Sequence, residues 1–175
     1  PGQDGQARQC RQMTMEQIIP PGVCLSCQGC CRFADSQGAW VAKLLPEEQK
    51  RLGHAHTAVP LSEDTRQKLW FCAYLQRTDN TCRVYDRRPL ECRLYPFVLN
   101  RHADGCVYLA YDPNCPCARE QGSSAAWQDY ALKLAAQLCA PGLRSQLEQA
   151  EYLLNAYEGA VDCAYLFGGR RQPQA

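Results

Sequence analysis

The chain has 175 residues, enough for one domain that buries its own core. Its 19 Lys and Arg stand against 18 Asp and Glu, a net charge of +1, which argues against a dedicated nucleic-acid binder with its strong basic excess. No apolar run approaches the roughly 20 residues that span a bilayer; the stretch Leu69-Trp70-Phe71-Cys72-Ala73-Tyr74-Leu75 is strand-sized, so no membrane association is expected.

Residues 1–13 are polar and read as a flexible lead-in. Thr14 caps a helical turn through Ile19, which Pro20-Pro21 stops. Residues 22–38, with glycines at 22, 29 and 38, read as a loop wrapped on metal, followed by a short strand at Trp40-Val41-Ala42. Pro46 to Leu52 reads as a helix: proline suits its first turn, acids lead, bases follow and Gly53 ends it. Strands are expected at 69–75 and 82–86, with Thr78-Asp79-Asn80 as the turn between them. Arg87 to Leu99 reads as a turn and a strand, and the alternating, Val- and Tyr-rich Gly105–Tyr111 as another strand.

After Cys115-Pro116-Cys117 the chain changes character. Ser123 or Ser124 caps a helix with Trp127, Tyr130, Leu134 and Leu138 on one face. Pro141-Gly142 opens a second, carrying Leu143, Leu147, Ala150, Leu154 and Tyr157, and Gly159 stops it. The tail from Gly168 reads as disordered. The expected class is α+β: a single domain over 1–175, with a cysteine-rich core of short strands at about 20–117 and a C-terminal helical hairpin at about 123–158.

Thirteen cysteines are the most telling feature, four of them in Cys24-Leu-Ser-Cys27-Gln-Gly-Cys30-Cys31. Adjacent cysteines bridge each other only through a strained ring, and Cys-x-x-Cys steps suit a metal turn or a redox pair. A disulfide scaffold would leave one thiol over, so metal is preferred. Pro1–Gly5 shows no apolar leader, and clustered thiols suit a reducing compartment, so the expected location is cytoplasmic. Further cysteines fall at 72, 82, 92, 106, 115 and 117, the first three near the ends of expected strands. Thiolates suit zinc or iron–sulfur clusters, each with four ligands, so two sites would use eight. Side chains of Cys30 and Cys31 diverge in most backbone conformations, which points to two sites or one multinuclear site.

Arg32, Arg83, Arg87, Arg88 and Arg93 flank the cysteines and could offset the negative charge of a thiolate-bound centre; otherwise they are solvated or pair with Asp86 and Glu91. Tyr74, Tyr85, Tyr95, Tyr108 and Tyr111 are interleaved with the cysteines and would shield metal from water. Cys139 and Cys163 read as small buried residues, Cys10 as a free thiol, and His54, His56 and His102 as loop residues. There is no P-loop, nucleophile elbow or zincin motif.

The string Cys24-x-x-Cys27-x-x-Cys30-Cys31-Arg32, then Cys72-x-Tyr74-Leu75, then Cys82-x-Val84-Tyr85-x-x-Arg88-Pro89-x-x-Cys92-Arg93-x-Tyr95-Pro96, closely resembles the YkgJ-type cysteine-cluster proteins, or CxxCxxCC zinc- or iron-chelating domain. The resemblance implies metal chelation through about eight cysteines: Cys24, Cys27, Cys30, Cys31, Cys72, Cys82 and Cys92, with Cys106 or Cys115 as the eighth. A related domain looks to be part of flagellin lysine methylases, but nothing here matches the further domain such an enzyme needs. Arg32, Arg88 and Arg93 are the expected cofactor contacts.

The expected function is therefore to hold one or two thiolate-ligated centres, iron–sulfur of the 4Fe–4S type ahead of Zn2+, with a redox or accessory role. The alternatives are a structural zinc module that meets a protein partner through its C-terminal helices, and a small metalloenzyme or accessory factor in a protein-modification pathway.

Overall fold

The computed structural model describes Met15, residues 17–27 and residues 29–169. The lead-in, with Cys10 and Thr14, and the last residues of the tail lie outside them. The fold is mixed α+β with small antiparallel sheets and C-terminal helices.

Pro21 starts a helix rather than ending one. The first helix, α1 (Pro21–Ser26), carries it in its first turn, where a missing N–H costs nothing. The described residues from Met15 to Ile19 form no helix. The chain then passes the cysteine pair into β1 (Arg32–Phe33). Trp40–Ala42 forms no strand; only Lys43 makes an isolated bridge, to Ala58. Helix α2 (Pro46–Leu52) closes on Gly53 in the left-handed region, φ 72°, as its sequence predicts. Strands β2 (Leu61–Asp64) and β3 (Leu69–Cys72) pair, and β1 joins on the other edge of β3 to give the order β1-β3-β2.

The expected 69–75 strand breaks at Cys72. The chain turns, and β4 (Leu75–Gln76) pairs with β5 (Thr81–Cys82) across the Thr78–Asn80 turn. A 3₁₀ turn at Tyr85–Arg87 and helix α3 (Leu90–Leu94) follow where a turn and an early strand were expected. Glu48 explains α3. Nearly fully buried, its carboxylate accepts the backbone N–H of Leu45 at 2.9 Å and of Leu90 at 2.8 Å, capping α2 and α3 together. Arg93 and Arg51 each approach it at 3.7 Å.

Strands β6 (Phe97–Arg101), β7 (Cys106–Tyr111) and β8 (Val161–Gly168) form the second three-stranded sheet, with β7 in the centre. Gly168, where a disordered tail was expected to begin, is the last residue of β8, and 170–175 lie outside the described residues. Helix α4 (Pro116–Gln121) precedes α5 (Ala125–Leu138), which Ser124 caps by accepting the Trp127 N–H at 3.2 Å. Trp127, Leu134 and Leu138 are buried as their spacing predicts, and Trp127 stacks on Phe97 with centroids 5.0 Å apart. Leu132 is the large apolar side chain that α5 leaves exposed.

Helix α6 (Pro141–Gln149) ends sooner than its 4-3 spacing suggests, and a 3₁₀ turn over Glu151–Leu153 follows. The edge of β6 draws the chain off: the Asn155 carbonyl accepts the Arg101 N–H at 2.8 Å, and the buried Asn100 carboxamide accepts the Tyr157 N–H at 2.9 Å. One apolar core joins the second sheet to α3, α5 and α6, and a smaller one under β3 includes Phe33, Val41, Leu44 and Phe71. Among the described residues, no helix is long and apolar enough to cross a membrane.

Candidate metal centre

A cavity of about 440 Å³ opens where the two cores meet, with Leu94, Phe97 and Leu99 of one and Val59 and Leu75 of the other in its wall. Among the described residues, eight cysteines line it: Cys24, Cys27, Cys30, Cys31, Cys72, Cys82, Cys92 and Cys115. Each arrives by a local cause. Helix α1 carries Cys24, and Cys27 is its C-cap. Cys31 is tied to the end of β3 because its carbonyl accepts the Cys72 N–H at 3.1 Å. The β4–β5 register sets Cys82 opposite Leu75, and the Arg83 N–H donates to the Tyr74 carbonyl at 2.9 Å. Cys92 is on α3. Cys115 caps α4, and its N–H donates to the carbonyl of the buried Asp112 at 3.2 Å. The Asp112 carboxylate in turn accepts the Asn114 N–H at 2.9 Å and the Tyr95 hydroxyl at 3.1 Å.

Cys106 stands apart. It begins β7, its N–H donates to the Asp104 carboxylate at 2.8 Å, and it is not in the cavity wall. Neither are Cys117, Cys139 and Cys163. Cys139 and Cys163, half-buried, donate to the Leu166 and Val161 carbonyls. No described cysteine is in a disulfide.

The thiols fall into two neighbourhoods. Burial raises the Cys24 thiol, and Cys30, Cys115 and Cys27 raise it further. Burial holds Cys92 well above the ordinary thiol value, with Cys72, Cys30 and Cys82 as charge neighbours. Cys72 is pushed up to about 11, again mainly by burial. Cys31 is raised as the hydrogen-bond donor to Cys30, and Cys30 is lowered as the acceptor. Cys24 thus has Cys30, Cys115 and Cys27 as charge neighbours, and Cys92 has Cys72, Cys30 and Cys82, with Cys30 common to both. Desolvated thiols that discourage one another's ionisation need cationic charge among them before they can all become thiolates, and a thiophilic metal supplies it. The donor set fits zinc or iron–sulfur in this respect. Among the described residues, no three His, Cys, Asp or Glu side chains are already closed around one point for an ion.

Arg32 and Arg88 line the cavity, and Arg93 does not. Arg88 packs on the Tyr85 ring, 3.7 Å from its centroid, and donates to the Gln17 carboxamide at 3.1 Å. Arg93 is turned to Glu48 instead. Of the interleaved tyrosines, Tyr74, Tyr85 and Tyr95 reach the cavity, whereas Tyr108 packs near Tyr165 and Tyr111 on Trp127. His54 contacts the Tyr74 hydroxyl, and His102 pairs with Asp162 at 2.8 Å.

Asn80 has a part that its sequence position only hinted at. Its backbone is left-handed, φ 59°, which suits the turn. Its carboxamide N–H2 points to three carbonyls at the C-terminal end of α1, where a loop was expected, those of Cys24 at 3.2 Å, Leu25 at 2.9 Å and Cys27 at 2.6 Å. Its oxygen accepts from Arg32 at 2.9 Å. Asn80 thereby fastens the C-terminal end of α1, with Cys24 and Cys27, to the hairpin that carries Cys82.

Thiols gathered from distant parts of the chain onto one cavity define a metal-chelating cysteine domain. The chain belongs to the CxxCxxCC family, described as a "putative zinc- or iron-chelating domain", whose model matches residues 23–128. Comparisons with curated proteins and with solved structures returned no match.

Proposed function

We propose that the protein holds two thiolate-ligated metal centres in this cavity, iron–sulfur in preference to zinc. Cys31, Cys72, Cys82 and Cys92 would hold one, and Cys24, Cys27, Cys30 and Cys115 the other. The observation that carries this is the convergence on one cavity of eight thiols from loop, strand and helix, enough for two four-thiolate sites. The number of thiols and the absence of histidine from the cavity wall among the described residues favour iron–sulfur. Such a centre supplies one-electron redox chemistry. The chain's own part is to exclude water with Tyr74, Tyr85 and Tyr95 and to offset thiolate charge with Arg32 and Arg88. Free thiols in this number suit a reducing, cytoplasmic setting.

Metal and acid-labile sulfide analysis of protein purified without oxygen, with a visible spectrum, tests the reading. Brown protein with near-equal iron and sulfide supports it. Colourless protein with stoichiometric zinc overturns the iron–sulfur choice and leaves a structural or Lewis-acidic zinc site. Protein that takes up neither metal overturns the reading altogether.

A further inference from the structure

The thiols reach the cavity on separate elements, and among the described residues no three ligand side chains stand closed around one point. Taking up metal therefore draws these elements together, and the ordering this needs is a cost borne by whichever centre fills first. Three ties run between elements that serve different centres in the assignment above, so much of that ordering is shared.

The first tie is Asn80. Its carboxamide reaches the Cys24, Leu25 and Cys27 carbonyls at 3.2, 2.9 and 2.6 Å, while its own hairpin carries Cys82. The second runs through Asp112. Tyr95, the C-cap of the helix that carries Cys92, donates its hydroxyl to the Asp112 carboxylate at 3.1 Å, and the Asp112 N–H donates to the Pro96 carbonyl at 2.9 Å. The Asp112 carbonyl in turn accepts the Cys115 N–H at 3.2 Å, so the end of α3 and the Cys115 turn are held as one piece. Asp112 is buried, and a bond lost there leaves a polar group without water to replace it. The Tyr95 hydroxyl also borders Gly29: a Cβ at that glycine would stand 3.8 Å from it and 3.4 Å from the Cys27 Sγ. The third tie is the chain itself. Cys30 and Cys31 are consecutive, and the Cys31 carbonyl accepts the Cys72 N–H at 3.1 Å.

We propose that the two centres fill as a pair: ordering the tied elements around one raises the affinity of the other, and Asn80 and Tyr95 are the positioning residues that carry the coupling. Each thiol gives up its proton to solvent as it is ligated. Repulsion between two anionic centres opposes the pairing, and Arg32 and Arg88 in the same wall offset it. The inference rests on the two-centre reading and goes beyond it, because two four-thiolate sites on unconnected elements would fill independently.

The test is native mass spectrometry of the whole reduced chain, freed of metal without oxygen and given Co2+ at one equivalent per chain, with the thiolate-to-cobalt absorption followed in parallel. Independent sites would leave about half of the chains or more with a single ion, whereas a coupling of roughly tenfold to hundredfold leaves about a quarter to a tenth of them so. The expected result is the second. Tyr95→Phe, which removes one hydroxyl, should weaken the coupling about fivefold and raise the singly loaded share, with two ions still bound at saturation, and Asn80→Gly should do the same. Leu138→Ala, a core change away from the cavity, should lower Tm and leave the pairing unaltered. A chain that binds two ions with half or more singly loaded overturns the pairing and leaves the two-centre reading intact; a chain that never binds more than one overturns both. An unaltered singly loaded share in Tyr95→Phe and Asn80→Gly, or an equal rise in Leu138→Ala, overturns the part given to these two residues. If Asn80→Gly does not fold, Tyr95→Phe and the native chain decide it.

Discussion

Replacing Asn80 by alanine should cost the protein more stability than its half-exposed turn position suggests. The carboxamide has two N–H groups for three carbonyls, so two good bonds at a time are its limit, and its oxygen holds Arg32 in a third. At about 1 kcal/mol net for each bond, the loss is about 3 kcal/mol. Alanine also bears the cost of the left-handed backbone at φ 59°, about 1 kcal/mol more. The total of about 4 kcal/mol corresponds to a fall of roughly 8–16 °C in Tm for a chain of this size. Asn80→Gly keeps the backbone at ease and should recover about 1 kcal/mol of that. Urea and thermal unfolding at fixed metal content measure both. A change within about 0.5 kcal/mol for alanine, as for an ordinary surface site, would refute the idea that this side chain fastens the end of α1.

Serine at Cys92 or Cys27 should lower metal content and stability together, whereas serine at Cys106 or Cys163 should leave metal content unchanged; metal analysis of the four variants decides it. Glu48→Ala should cost about 2–4 kcal/mol, because the Leu45 and Leu90 N–H groups lose a shared buried acceptor and Arg93 loses its partner, and thermal unfolding should show it. Asp64, 2.7 Å from Arg77, is held below the ordinary carboxylate value chiefly by that guanidinium. With its folded value depressed, the stabilisation it contributes is present above the ordinary carboxylate value and is lost as pH falls through the depressed one. An NMR titration should find the Asp64 carboxyl higher in Arg77→Gln than in the native chain, and an unchanged value would remove Arg77 as the cause.

The cysteine string was legible because chemistry dictates its spacing, and seven of its thiols can be placed on a cavity by motif alone. The eighth was not. Cys106 and Cys115 differ by which way a strand end and a turn face; Asp112-Pro113-Asn114 announces the turn, but its placement rests on distant ties, the Tyr95 hydroxyl donating to the Asp112 carboxylate and the Asp112 N–H to the Pro96 carbonyl. Helices α2 and α5 were legible from Pro46, Gly53 and Ser124, which act within one turn of where they stand. Strand β2, Leu-Ser-Glu-Asp, has almost no strand signature of its own and exists by pairing with β3. Helix α3 depends on Glu48, far away in sequence, and α6 ends early because the edge of β6 needs the Asn155 carbonyl. Glu91 read as a partner for an arginine, and only its burial showed an oxygen left over.

The order of the elements along the chain also sets a timetable for synthesis. Every thiol on the cavity lies before α5, while β8, which completes the second sheet and supplies Leu166 and Phe167 to the larger core, comes last. At about 5–20 residues per second, roughly 3–10 s separate the emergence of Cys115 from that of Phe167. During that interval the nascent chain presents all eight thiols while β7 still has an unpaired edge. A chain truncated after α5 would therefore carry these eight thiols with the larger core unfinished.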